Sequence, residues 1–110
     1  MKGLAREAPA GSKWVYKTGE TNLIGVLVSS ATGKTVSAYL AEKIWGPFGM
    51  EQDAVWMLGS TGHEISGCCI SASLRDYARF GQFMLTGGRV DGQAILPDGS
   101  AQLLAWAPNY

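Results

Sequence analysis

The chain has 110 residues, enough for about one small domain. Nine basic and nine acidic side chains cancel to zero formal charge, which gives no footprint for nucleic acid or an anionic membrane. The longest apolar run, 23–28, is far below the ~20 residues of a bilayer span, and the first fourteen residues lack the apolar stretch of a secretory signal.

Residues 1–14 mix Gly, Ala, Pro and Ser without a period and read as an irregular lead-in loop. Over 20–31 a helix is predicted. Gly19 or Thr21 would cap it, Leu23, Ile24, Leu27 and Val28 would form its apolar stripe, and Gly33 would stop it. A second helix is predicted over 34–45, with Val36, Tyr39, Leu40 and Ile44 on one face and Glu42 and Lys43 on the other. Gly46-Pro47 ends it. The short turn between the two predicts antiparallel packing.

The pattern then changes. "VWML" and "HEISGCCI", separated by Gly59-Ser60-Thr61-Gly62, read as two extended segments. "SASLRDYARFGQFMLTGG" is the strongest helix. Ser73 and Asp76 form a capping box. Leu74, Tyr77, Ala78, Gly81 and Met84 or Leu85 are its expected buried stripe. Asp91-Gly92 signals a tight turn, and a last short helix is expected near 98–107. Four tryptophans are hard to bury in so thin an assembly, which predicts a missing partner surface.

Several motifs fail on inspection. "SSATGKT" lacks the first glycine of a phosphate-binding loop, because Val28 stands at that place. The adjacent Cys68 and Cys69 are expected to be reduced, since disulfides favour Cα separations of about 4.4–6.8 Å. His63 is the one histidine, too few donors for a metal site. Lys17-Thr18-Gly19 matches a hydrolase triplet in letters, but an amphipathic helix follows where a strand would be needed. No lysine has a serine three residues before it, so no Ser-x-x-Lys nucleophile exists in the chain.

Tyr16 is the remaining candidate. A phenol titrates near 10, and bringing it to neutrality requires about 4 kcal/mol from nearby cations. Lys17 is expected to point elsewhere, because successive side chains of an extended segment alternate. From the residues alone, packing is the simpler role for Tyr16.

Taken together, "WVYKTGETNLIGVLVSSATGKTVSAYLAEKIWGPFGM" and "ISGCCISASLRDYARFGQFMLTGGRVDGQAILP" resemble the β-lactamase-related serine hydrolases. These include class C β-lactamases, DD-peptidases, family VIII carboxylesterases and 6-aminohexanoate-dimer hydrolases. The likeness runs over about 12–97 and includes the Pro47-Phe48-Gly49-Met50 turn and the "RDYARFG" helix. "YK-GET" and "IW-P-GM" look closest to the 6-aminohexanoate-dimer hydrolase and esterase branch.

The resemblance implies an α+β fold: a mostly helical slice of a β-lactamase/transpeptidase-like domain, with a helix pair, two short extended segments and one long helix. It implies a serine hydrolase of esters or small amides, working through an acyl-enzyme. Tyr16 takes the place of the general acid/base tyrosine. Thr18 takes the place of the motif's Asn or Ser, and Ser71 lines the pocket. Cys68 and Cys69 fall near the family's glycine loop at the site's edge. Residues 15–110 are expected to be part of such a domain, without its upstream Ser-x-x-Lys and its downstream strand motif, and so inactive alone. No cofactor, metal, nucleic acid or membrane is implied. The expected partners are a small ester or amide and the remainder of the domain; the compartment stays open. The rival expectation is a helical scaffold that kept the packing and lost the chemistry, with the Tyr16 hydroxyl sealed in a packed interior.

Overall fold

The computed structural model describes residues 3–100. Residues 3–17 contain no helix or strand. The chain then enters helix α1, Thr18–Thr32. It starts two residues earlier than the sequence predicts. Neither Gly19 nor Thr21 caps it. Lys17 is the N-cap, in an extended conformation and without a side-chain cap bond; its carbonyl accepts from the N–H groups of Glu20 and Thr21 at 3.0 Å each. Gly33 ends the helix at φ 67°, the left-handed turn that glycine adopts at little cost.

Helix α2, Val36–Leu40, is shorter than expected. The Thr35 hydroxyl caps it by accepting from the Ala38 N–H at 3.2 Å. It continues as a π-helical turn, Ala41–Trp45, in which the Gly46 N–H reaches back five residues to Ala41 O at 3.0 Å. Antiparallel packing of the pair does not form: the path bends by 74° between them. Ser29 Oγ donates to Lys34 O at 2.8 Å, fixing that bend. Among the described residues no single helix is long and apolar enough to cross a membrane.

The two extended segments pair as predicted. Strand β1, Val55–Trp56, runs antiparallel to β2, Ile70–Ser71, with Val55 opposite Ser71 and Trp56 opposite Ile70. A further bridge joins Leu58 to Glu64. Helix α3, Leu74–Leu85, follows, capped by Ser73 as expected. Strands β3, Arg89–Val90, and β4, Gln93–Ala94, close a hairpin on Asp91-Gly92, both at positive φ. The predicted last helix falls outside the described residues.

The inward faces differ from the predicted stripes. In α1 the buried residue is Gly25, while Leu23, Ile24 and Leu27 are exposed. In α3 the buried residues are Asp76 and Phe83, and Leu74, Tyr77 and Leu85 stand outside. Phe83 is completely buried and meets Phe48 edge-on, with ring centroids 5.4 Å apart. Phe80 lies against it at 6.1 Å. The Phe48 contact ties the Pro47-Phe48-Gly49-Met50 turn to α3.

Candidate active site

Tyr16 is the second-last residue before α1 and is 48% exposed. Its hydroxyl donates to Gly67 O at 3.5 Å, long for an O–H···O bond, so the contact orients the ring across the loop at 63–69. The neighbouring side chain goes the other way, as alternation predicts. Lys17 Nζ binds Glu7, which also receives Lys13 Nζ at 3.0 Å. The hydrogen bond from Lys17, reinforced by Lys13, lowers the Glu7 carboxyl to about 2 and raises the Lys17 ammonium. Lys17 therefore tethers the lead-in segment.

Thr18 opens α1 and packs on the same glycine. A Cβ at Gly67 would lie 2.6 Å from Thr18 Cγ2 and 2.8 Å from Thr18 O, closer than any side chain tolerates. Glycine is needed here for close approach of two backbones. One residue earlier, a Cβ on Gly25 would sit 1.8 Å from Ser66 Oγ. Two glycines, one on α1 and one in the loop, let the helix and the loop touch.

The loop itself is held at nearly every residue. Asn22 Oδ1, one turn into α1, accepts from the Ser66 N–H at 2.8 Å. Trp56 Nε1 donates to Ile65 O and Cys68 O, each at 3.0 Å. Met57 N–H donates to Cys69 O at 3.1 Å. Tyr77 on α3 donates its hydroxyl to Ile70 O. At the far end, Glu64 Oε1 accepts from the backbone N–H and the hydroxyl of Ser37 at 3.0 and 2.5 Å. Burial pushes the Glu64 carboxyl up, but the two Ser37 donors hold it below its ordinary value. The loop is thus fastened to α1, α2 and β1, and strand β2, which leaves it, is fastened to α3.

The cysteines correct the sequence reading. Cys68 and Cys69 are joined Sγ to Sγ, with Cα atoms 3.7 Å apart. Cys69 adopts φ 77°, a left-handed backbone that non-glycine residues seldom take. The joined pair forms a closed ring directly after Gly67.

Ser71 sits on β2 across from Val55, exposed, four residues beyond Gly67. The geometry brings Tyr16 and Thr18 together on Gly67; Ser71 is placed by the strand that leaves the loop. Sequence reasoning missed the supporting shell. Asn22 was detectable as a weak helix former inside an apolar helix. Glu64 and Asp76 act between elements distant in sequence, which leaves no local pattern. Asp76 Oδ1 and Oδ2 accept from the Glu51 and Gln52 N–H groups at 2.7 and 3.0 Å, and from Ser73 Oγ at 2.8 Å. The Glu51 N–H above all, against the cost of burial, keeps the Asp76 carboxyl below its ordinary value.

Tyr16 and Thr18 thus meet a glycine loop that lies between the start of α1 and the β1–β2 hairpin. The model of the Beta-lactamase family matches residues 1–109, and the chain belongs to that family, a family of β-lactamase-fold hydrolases. It is similar to 6-aminohexanoate-dimer hydrolase of Paenarthrobacter ureafaciens, 27% identical over 84 residues, which are 76% of this chain and 21% of that protein. A solved structure assigned as a 6-aminohexanoate-dimer hydrolase from Bacillus anthracis superposes with a TM-score of 0.81 at 33% identity. The match covers 91% of this chain and 26% of that one. The α+β slice read from the sequence is the architecture found. The chain spans about a fifth to a quarter of the length of these relatives.

Proposed function

We propose that this chain supplies the acid/base tyrosine and the substrate-edge loop of a serine hydrolase acting on esters or small amides. The observation that carries the proposal is the half-exposed Tyr16, whose hydroxyl reaches Gly67 O on a loop fastened to α1, α2 and β1. A scaffold that had lost its chemistry would seal that residue in its interior; here Tyr16 is half exposed. The relatives' names attach hydrolysis of a 6-aminohexanoate dimer to this fold, which supports the amide side of the reading.

The nucleophilic serine and its lysine come from polypeptide beyond these residues, since no Ser-x-x-Lys stands in the chain. In the proposed reaction the serine oxygen attacks the substrate carbonyl, and its proton passes to the lysine–tyrosine pair. Tyr16 then protonates the departing alkoxide or amine, and an acyl-serine remains. Water, activated by the same pair, attacks the acyl carbon, and the serine leaves with its proton restored. In this reading the Thr18 hydroxyl contacts substrate or lysine, and Ser71 lines the outer wall.

The experiment grafts residues 12–97 over the matching segment of a longer relative. The graft is mixed with p-nitrophenyl butyrate and quenched in acid, and its intact mass is read. One added butyryl group is expected, with formation and loss slowed about 10²–10⁴-fold by Tyr16→Phe. Absence of the adduct, or rates indifferent to Tyr16→Phe, would overturn the proposal.

A further inference from the structure

The loop that meets Tyr16 carries both cysteines of the chain directly after the contact residue. Gly67 O accepts from the Tyr16 hydroxyl at 3.5 Å, and the next two residues, Cys68 and Cys69, are joined Sγ to Sγ. No other cysteine stands in the sequence. A disulfide stabilises a fold chiefly by closing a loop in the unfolded chain, and longer loops gain more. This one spans a single peptide bond and ties no distant elements together, so it is no structural staple. What it closes is a small ring inside the loop at 63–69, and its effect falls on the backbone there.

That backbone is tied on both sides of the ring. Cys68 N–H donates to Ile65 O at 3.1 Å. Cys68 O accepts from Trp56 Nε1 at 3.0 Å, and Cys69 O accepts from the Met57 N–H at 3.1 Å. Between these anchors Cys69 stands at φ 77°, a region that a residue with a Cβ disfavours. The ring limits the two cysteines to few arrangements. Once it opens, Cys69 is free to return to negative φ, which turns its carbonyl away from Met57 and shifts the preceding Gly67. Both cysteines are exposed in this chain, and exposed disulfides are the exchangeable ones.

We infer that Cys68 and Cys69 form a reversible thiol–disulfide site that exchanges with a dithiol, and that its state sets the position of the Gly67 carbonyl against Tyr16. In the reduction, a thiolate of the dithiol attacks one Sγ. The Sγ–Sγ bond breaks, and the other cysteine leaves as a thiolate and takes up a proton. The second thiolate of the dithiol then attacks the mixed disulfide and releases the first cysteine, which is protonated in turn. Two electrons have passed to the cysteine pair, and the dithiol departs as its own disulfide. The exchange site stands on the loop geometry alone. Its consequence for hydrolysis, a tyrosine set in one state and displaced in the other, rests on the proposed hydrolase reading.

Amide exchange in two redox states tests the inference, with the full chain and dithiothreitol as the dithiol. Iodoacetamide in denaturant is expected to add nothing to the chain purified without reductant, and one group to each cysteine after dithiothreitol. Oxidised dithiothreitol should close both sites again. The Met57 amide and the Trp56 indole N–H are expected to exchange at least about tenfold faster in the reduced chain, and the ring signals of Tyr16 to shift. The Gly33 amide, bonded to Ser29 O at the end of α1, should keep its rate. Cys68→Ser combined with Cys69→Ser should match the reduced chain at Met57 and ignore the dithiol. Alkylation of both cysteines before reduction overturns the inference, as do equal exchange rates in the two states. Faster exchange at Gly33 as well overturns it, because the pair then supports the whole fold and not the loop. Tyr16 signals that stay in place while Met57 responds overturn the link to the tyrosine. None of these readouts involves hydrolysis. A redox response combined with a graft that forms no acyl adduct counts against the functional proposal alone.

Discussion

At the residue scale, the site depends on absences of side chains as much as on their presence. Gly25→Ala drives a methyl into Ser66 Oγ, and overpacking of this kind costs about 1–3 kcal/mol. Urea unfolding of the chain should show a loss in that range. Gly67→Ala meets the Thr18 backbone as well as its methyl, so it should also displace the Tyr16 hydroxyl from its orienting carbonyl. A second prediction concerns acid. Asp76 has a lowered carboxyl pKa in the folded chain. A lowered folded value adds stability that is complete above the ordinary carboxylate value of about 3.9 and is lost as pH falls through the lowered one. Asp76→Asn should destabilise the chain at pH 7 and flatten the decline of its stability below pH 4. An unchanged acid limb in pH-dependent unfolding would contradict that role. Glu7 behaves the same way: its tether to Lys17 and Lys13 should survive to about pH 4 and open as pH approaches about 2, visible in the carboxyl resonance.

The candidate site residues were legible in the sequence to different degrees. Tyr16 and Thr18 were singled out because their spacing before a helix start resembles a family pattern. The contact that orients Tyr16 joins residues 51 apart, and a sequence pattern has no access to such a pairing. The cysteine pair was misread because Cα separation is a statistical guide for chain-distant cysteines.

At the element scale, most caps and turns were read well, the N-cap of α1 excepted, and the faces of α1 and α3 were not. Ser73 at the N-cap of α3, Gly33 after α1, and Asp91-Gly92 between β3 and β4 all stand where local chemistry puts them. Ser73→Ala removes a hydroxyl that serves both the Asp76 N–H and the Asp76 carboxylate. It should cost about 1 kcal/mol, the usual value of such a cap. The predicted stripes of α1 and α3 are genuine apolar stripes, yet they face outward. Periodicity identifies which residues a helix would bury, and only the neighbouring polypeptide decides whether they are buried. The side chains turned inward were overlooked for the same reason: Phe83 belongs to a second apolar row, and Asp76 is charged. Phe83→Ala should cost about 3–5 kcal/mol, because the side chain is completely enclosed and Phe48 loses its ring partner. Loss of the cooperative unfolding transition would be the calorimetric sign.

At the scale of the whole molecule, the chain has the tyrosine proposed for proton transfer but no Ser-x-x-Lys to use it, and among the described residues Leu23, Ile24 and Leu27 of α1 and Leu74 and Leu85 of α3 are exposed. The fold was legible from its resemblance over 12–97, because turn chemistry and order persist in a family when much of its sequence has changed. Of the four tryptophans from which a missing partner surface was expected, Trp14 is exposed, Trp45 and Trp56 spend their N–H groups on the backbone carbonyls of Gln52, Ile65 and Cys68, and Trp106 lies outside the described residues.

The most direct test of this account is the rate of p-nitrophenyl butyrate hydrolysis, measured for the 110-residue chain, for its graft in the longer relative, and for each with Tyr16→Phe. The account predicts no turnover by the chain above its Tyr16→Phe control. It predicts turnover by the graft that falls about 10²–10⁴-fold when the hydroxyl is removed. Tyrosine-dependent turnover by the chain alone, or a graft whose rate ignores Tyr16, would contradict it.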